Sequence, residues 1–178
     1  MIELYTDRLI IRNIQEADWP NVLALNTNQS VLKYIREVTS VADIKETFNQ
    51  RLAPWDYASG KWLTLIIETV DTNEFVGLTG FCRESEAMNR AEVGYLIAPC
   101  HQGLGYGTES LKAVIDWGII QFNIQKYIGY CAVKNLSSAK VMLKCGFVQE
   151  GLLRENHSIG NLKIDEYIFG LLPSDIRT

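Results

Sequence analysis

The sequence predicts a mixed α+β domain, a central sheet with helices packed on its faces. Two observations carry that reading. The elements run strand, two helices, three-strand meander, helix, strand, helix and closing hairpin, which is neither a repeating βαβα pattern nor an all-β one. The 178 residues also fit one domain spanning 1–178, with no repeat, low-complexity tract or proline-rich linker to divide them. At that length roughly two thirds of the unfolded surface can be buried, so a core forms without covalent staples.

The first strand is residues 8–14, RLIIRNI. A short helix follows over 18–26, with Asp18 as N-cap and Pro20 in the first turn, where its missing N–H costs nothing. Ser40-x-x-Asp43 opens a second helix, running to about Arg51, with Asp in place of the usual capping-box Glu. Strands at 62–69 and 74–83 flank the turn residues Asp71, Thr72 and Asn73 and form a hairpin. A fourth strand, 92–97, stops at Ala98-Pro99. Leu111, Val114, Ile115, Gly118, Ile119 and Phe122 then recur at helical spacing, the most periodic stretch in the chain. Residues 127–133 form the fifth strand, and a helix over 137–144 ends at Gly146, the usual residue just past a helix C-terminus. Strands 148–157 and 163–171 close the chain around Gly160-Asn161, giving seven strands.

Several functions are excluded early. Hydrophobic residues make up 47% and charged ones 21%, an ordinary composition for a globular protein, and no apolar run approaches the ~18 residues of a membrane span. The acidic start MIELYTDRL is unlike a signal peptide, so the expected compartment is the cytoplasm. A net charge of −4, with no lysine/arginine block, argues against a nucleic-acid partner. Cys82, Cys100, Cys131 and Cys145 form no C-x-x-C pair and read as reduced thiols. His101 and His157 add too few ligands for a metal site.

The stretch GYLIAPCHQGLGYGTESL, residues 94–111, carries most of the functional signal. An apolar strand enters alternating glycines at 103, 105 and 107 and leaves as a helix. Free N–H groups and the helix dipole there favour an anion, commonly a phosphate, and glycine lets it approach the backbone. A dinucleotide fingerprint fails because Thr108 stands where a third glycine is needed. A P-loop fails because no lysine follows Gly107.

Gln102-Gly103-Leu104-Gly105-Tyr106-Gly107 resembles the Q/R-x-x-G-x-G/A acyl-CoA motif of the GNAT family of N-acetyltransferases. Its surroundings are similar too: Glu92-Val93-Gly94-Tyr95-Leu96 before it, then Asn135-x-x-Ser138, Cys145-Gly146-Phe147 and Glu150-Gly151 after it. The start, Thr6–Arg12, looks like the first strand of the RimJ/RimL-type branch, the ribosomal-protein-alanine N-acetyltransferases. The resemblance covers essentially the whole chain. It implies a GNAT fold, a mostly antiparallel seven-stranded sheet whose fourth and fifth strands splay apart. It also implies acetyl-CoA as cosubstrate, no metal, and an amine acceptor, with a protein N-terminus foremost.

Residue by residue, the resemblance places the CoA pyrophosphate on the amides of Gln102, Gly103, Leu104, Gly105, Tyr106, Gly107 and Thr108. It puts a backbone N–H near Leu96 or Ile97 against the thioester oxygen, and Asn135 at CoA or at the helix start. Glu92 is the first candidate for general base, with Asp165, Glu166 or water as alternatives. The family's usual thiolate donor, a tyrosine four residues before Gly146-Phe147, is replaced by Met142, which cannot donate. Ser138 becomes the candidate donor, although it also reads as a serine at a helix start. Trp55, Tyr57 and Trp62 either line the acceptor pocket or close the core. His101 receives no role. The acceptor alternatives are a polyamine, an amino acid or an aminoglycoside. The rival function is a non-catalytic acyl-CoA-binding module. Monomer and homodimer both stay open.

Overall fold

Leu65-Ile66-Ile67 is apolar at every position, as a strand is when both faces of its sheet are covered. In the computed structural model, which describes residues 1–176, all three side chains are buried. They lie in β3 (Leu65–Thr69) of an eight-stranded sheet. Its other strands are β1 (Glu3–Tyr5), β2 (Leu9–Asn13), β4 (Phe75–Ser85), β5 (Arg90–Ile97), β6 (Lys126–Ala132), β7 (Val148–Ile159) and β8 (Leu162–Leu171). The strand order is β1-β2-β3-β4-β5-β6-β8-β7. Each neighbouring pair is antiparallel except β5–β6, which is parallel. The helices are α1 (Trp19–Thr27), α2 (Gln29–Leu32), α3 (Val41–Leu52), α4 (Tyr106–Phe122) and α5 (Leu136–Lys144).

The architecture is the expected one, with two corrections. The sheet has eight strands, because Glu3–Tyr5 pairs with Ile10–Arg12; three residues are too few to show alternation. The second is α2, a single turn capped by Asn28, whose side chain accepts from the N–H groups of Ser30 and Val31. One turn has no periodicity to read. At the longer helices one expected cap holds and one does not. Asp18 stands at the N-cap position of α1, but its side chain makes no cap bond there, because Arg12 and the Gln15 N–H occupy it. Ser40 accepts from the Asp43 N–H at 3.1 Å, and Pro20 sits in the first turn of α1.

Two apolar layers sandwich the sheet. On one side α4 buries Leu111, Val114 and Ile115 with Phe81, Tyr127 and Phe169. Gly118 lets α4 approach β6, since a Cβ there would lie 2.1 Å from the Tyr127 hydroxyl. Trp55 and Tyr57 belong to this layer. Tyr57 stacks on Phe122 with ring centroids 4.8 Å apart, and Trp55 meets Phe81 edge-on at 5.8 Å. On the other side Val22 and Leu25 of α1 and Phe48 of α3 cover Ile66 and Leu78. Among the described residues no helix is long and apolar enough to cross a membrane.

The entry to α1 is pinned by charge. Arg12 on β2 donates to both carboxylate oxygens of Asp18, at 2.9 and 2.8 Å, and through Nε to Glu68 at 2.8 Å. Asp18 is only 4% exposed and also accepts the Gln15 N–H at 2.7 Å. Removing one partner of a buried pair strands the other charge, at a cost of about 3–5 kcal/mol. Arg12→Met should therefore lower the urea midpoint by that equivalent with an unchanged m-value. A loss under about 1 kcal/mol would mean that water reaches Asp18.

Candidate functional site

The cleft starts where the sheet comes apart. β5 and β6 pair only over Arg90–Glu92 against Lys126–Ile128, so from Val93 onward β5 has no partner on that side. A cleft of about 1160 Å³ opens there, lined by both strands, the glycine bend and α5. This is the expected splay. Strand alternation selects the amides that face it. The Ala98 N–H donates to Val76 on the β4 side at 2.9 Å, so the Leu96 peptide group also faces β4 and those of Tyr95 and Ile97 face the cleft. Of the two residues expected to offer an amide, Ile97 is the one oriented to do so. Its carbonyl accepts from Gln102 Nε2 at 3.0 Å, which ties the bend to the strand end.

Gly103 (φ +79°) and Gly105 (φ +87°) are left-handed, and Gly105 is the N-cap of α4. Side chains are strained in that region. Gly107 is conformationally ordinary, and an added Cβ would meet Ile97 Cγ1 at 3.4 Å. The backbone N–H groups of residues 103–107 donate to no other described residue, which leaves a run of free donors at a helix N-terminus. Leu104 departs from the rest of the motif: its side chain is exposed and does not line the cleft.

Arg8, on the run-in to β2, braces the bend from behind. It donates to the Leu104 carbonyl at 3.1 Å and to Glu109 of α4 through Nε at 2.8 Å. Its guanidinium lies over the Tyr106 ring, 4.6 Å from the centroid. Thr6 adds a 2.6 Å hydrogen bond to the same Glu109. The Thr6–Arg12 stretch contained this signal, but nothing in it indicated a partner a hundred residues away.

Asn135 caps α5, its side chain accepting the Ser138 N–H at 3.3 Å. Ser138 is thereby freed from capping, and its hydroxyl lies 2.8 Å from that of Tyr95 on β5. Burial raises the Tyr95 pKa, so the phenol stays protonated and is a donor. Sequence reasoning missed Tyr95. Met142 is 2% exposed and packed in the core.

Glu92 sits at the fork itself, opposite Cys82 on β4 and Ile128 on β6. Its pKa is raised, first by burial and then by the charges of Glu84 and Glu166. Glu166 lines the same cleft and accepts from Asn156 at 2.8 Å. Asp165 does not line it; its carboxylate accepts the Glu155 N–H at 2.8 Å. Trp62 lines the cleft, its ring so close to the backbone that a Cβ on Gly94 would lie 3.1 Å from it. His101 also lines it, and its buried Nε2 has no hydrogen-bond partner among the described residues; Glu74 Oε1 faces it at 3.5 Å without bonding. Tyr34, Arg36, Arg51 and Thr64 line the cleft as well. Among the described residues no group of three or more His, Cys, Asp or Glu is placed to hold a metal.

Residues 8–148 match the family model described as an acetyltransferase (GNAT) domain. The chain is 28% identical over 176 residues to an uncharacterized N-acetyltransferase, p20, of Bacillus licheniformis, covering 98% of each. It is 27% identical over 127 residues to the ribosomal-protein-serine acetyltransferase of Escherichia coli strain K12, covering 71% of this chain and 69% of that one. The crystal structure of spermidine N-acetyltransferase from Vibrio cholerae, in complex with CoA and spermine, superposes with a TM-score of 0.83 at 24% identity. That match covers 96% of this chain and 98% of the other. The free amides of the bend and the unpaired edge of β5 fit an acyl-CoA donor, and the reading as a non-catalytic module falls away. The chain belongs to the GNAT acetyltransferase family and is an acetyl-CoA-dependent N-acetyltransferase.

Proposed function

We propose that the enzyme acetylates the α-amine of a protein N-terminus, in the manner of the RimJ/RimL branch, by direct attack on acetyl-CoA. One observation carries the reading: a single cleft is lined by the glycine bend, the Ser138–Tyr95 hydroxyl pair and Glu92. The likeness to the E. coli ribosomal-protein enzyme supports the branch. In this reading the free amides of 103–107 cradle the pyrophosphate, not those of Gln102 and Thr108, whose N–H groups donate to the Pro99 and Gly105 carbonyls at 3.3 and 3.1 Å. The Ile97 N–H meets the thioester oxygen as it gains charge.

The amine must be neutral to attack. Near pH 7.5 roughly a third of an α-amine is unprotonated, against about one part in a thousand of a lysine side chain. Its nitrogen bonds to the carbonyl carbon, the C–S bond breaks and the electron pair leaves on sulfur. Glu92 takes the amine proton directly or through water. Ser138, backed by Tyr95, donates a hydrogen bond to the sulfur. With a phenol held above its usual value near 10 and a thiol near 8.5, full transfer from Tyr95 is uphill, so the pair stabilises the thiolate by hydrogen bonding.

A hydrogen bond to a charged group is worth about 1.5–3 kcal/mol. Ser138→Ala should therefore lower kcat about tenfold or more and leave the Kd for acetyl-CoA within about twofold. Tyr95→Phe should act in the same direction with a smaller effect. Unchanged turnover in both variants would assign the pair to packing.

A polyamine acceptor is the second reading, favoured by 27% identity over 154 residues to the spermidine N(1)-acetyltransferase of Vibrio cholerae. CoA release and mass detection of acetylated product, with N-terminal peptides and spermidine at equal concentration, decide between the two. Peptide α-amines turned over ahead of spermidine support the main reading. The reverse order overturns it.

A further inference from the structure

The arginines around the sheet divide into two groups. Arg8, Arg12, Arg83 and Arg90 each meet a carboxylate, and Arg154 is exposed. Arg36 and Arg51 are recessed in the wall of the cleft, yet neither forms an ion pair among the described residues. Arg36 donates to Asn26 Oδ1 at 2.6 Å and to the Glu37 carbonyl at 3.2 Å. Arg51, in the last turn of α3, reaches the Thr64 hydroxyl. The α3 dipole offsets part of the Arg51 charge, but neutral oxygens leave both guanidiniums short of a counter-charge. Burial lowers the pKa of both, and the charge of Arg36 lowers that of Arg51 further.

Recessing a guanidinium without a counter-ion is costly, and here two line one cleft. Among the described residues three carboxylates line the same cleft. Asp43 accepts from the Ser40 hydroxyl at 2.7 Å and forms no ion pair with either arginine. Glu92 and Glu166, on β5 and β8, supply the opposite polarity. Both ends of this polarity meet β4: Glu92 stands opposite Cys82, and Thr64, which holds Arg51, follows Leu63, whose N–H donates to the Phe81 carbonyl at 2.8 Å. A polycation would meet the arginine wall with a third positive charge. A molecule with an amine at one end and a carboxylate at the other satisfies both walls.

Taking the proposed amine transfer as given, we propose that the acceptor is a primary amine that also bears a carboxylate, which Arg36 and Arg51 grip while the amine faces Glu92. The planar fork of Arg suits a carboxylate in a way that Lys does not. The carboxylate belongs either to a free amino acid or to an acidic side chain just behind a peptide N-terminus.

Matched acceptors separate these cases. Initial rates with acetyl-CoA are compared for free α-amino acids against their α-amides, for C-amidated tripeptides with Asp against Asn at the second position, and for spermidine. The expected result is a preference of tenfold or more in kcat/KM for the charged member of at least one pair; the pair that shows it names the source of the carboxylate. Arg51→Met should erase that preference mainly through KM, Arg36→Met should weaken it, and Arg51→Lys should restore part of it. Neutral amides and spermidine used as well as the charged acceptors would overturn the proposal, as would a preference that survives the double Met variant. The wild-type comparison decides even if Arg51→Met fails to fold. If acetyl-CoA binds but no amine in the panel is turned over, the proposed amine transfer fails, and this inference with it.

Discussion

Glu92→Gln should cost about 10²–10⁴-fold in kcat, the usual contribution of a positioned general base, with acetyl-CoA binding unchanged. The size follows from the position at the fork of β5 and β6, where burial and the charges of Glu84 and Glu166 hold the pKa above the ordinary carboxylate value. A base works only when ionised, so the rate of the native enzyme falls as pH drops through that raised pKa. The acidic limb of its kcat/KM profile then lies above the range near 4.3 of an unperturbed glutamate. The variant lacks this limb and keeps only the one set by the acceptor amine, which moves when the acceptor is changed.

Stability should move the other way. A carboxylate with a raised folded pKa binds its proton more tightly folded than unfolded, so stability is lost as pH rises through that window. At neutral pH Glu92→Gln removes the penalty, and the inactive variant should unfold at a higher urea concentration than the native enzyme. A variant with full activity and an unshifted profile would remove Glu92 from the chemistry.

Gly105→Val should weaken acetyl-CoA binding about 100-fold or more, equivalent to roughly 2.8 kcal/mol, in a protein that still folds. At φ +87° a β-branched residue is strained by more than the ~1–2 kcal/mol of an ordinary side chain. Its Cβ would also lie 3.3 Å from Arg8 Nη2, the group that braces the bend. The bend must rearrange or Arg8 must let go, and either change turns the free amides of 103–107 away from a common point. Calorimetry with acetyl-CoA measures the loss, and native affinity would show that the bend does not hold the pyrophosphate.

What could be read from the sequence was local. The glycine bend, the periodic helix after it and Asn135 at the start of α5 are each local features; spacing indicated the first two, and the resemblance placed Asn135 at CoA or at the helix start. The missed features are contacts between distant segments. Tyr95 and Ser138 stand 43 residues apart, and the sequence offered Ser138 as a candidate donor without its hydroxyl partner. Arg8 and Glu109 are 101 apart. Trp55, Tyr57 and Trp62 looked equivalent as aromatics, yet the first two close the α4 layer and only Trp62 reaches the cleft. Arg36 and Arg51 carry no motif at all; their meaning lies in their lack of an ion pair among the described residues, a property of the folded chain alone.

The central claim is that one cleft receives CoA with its pyrophosphate on the bend and its sulfur at the hydroxyl pair. A crystal structure of the enzyme with CoA tests it most directly. The expected structure has pyrophosphate oxygens within hydrogen-bond distance of the amides of 103–107, the pantetheine arm along the free edge of β5, and the thiol beside Ser138 with Glu92 on the open side. A pyrophosphate bound away from the bend, or a thiol remote from both Ser138 and Glu92, would contradict it.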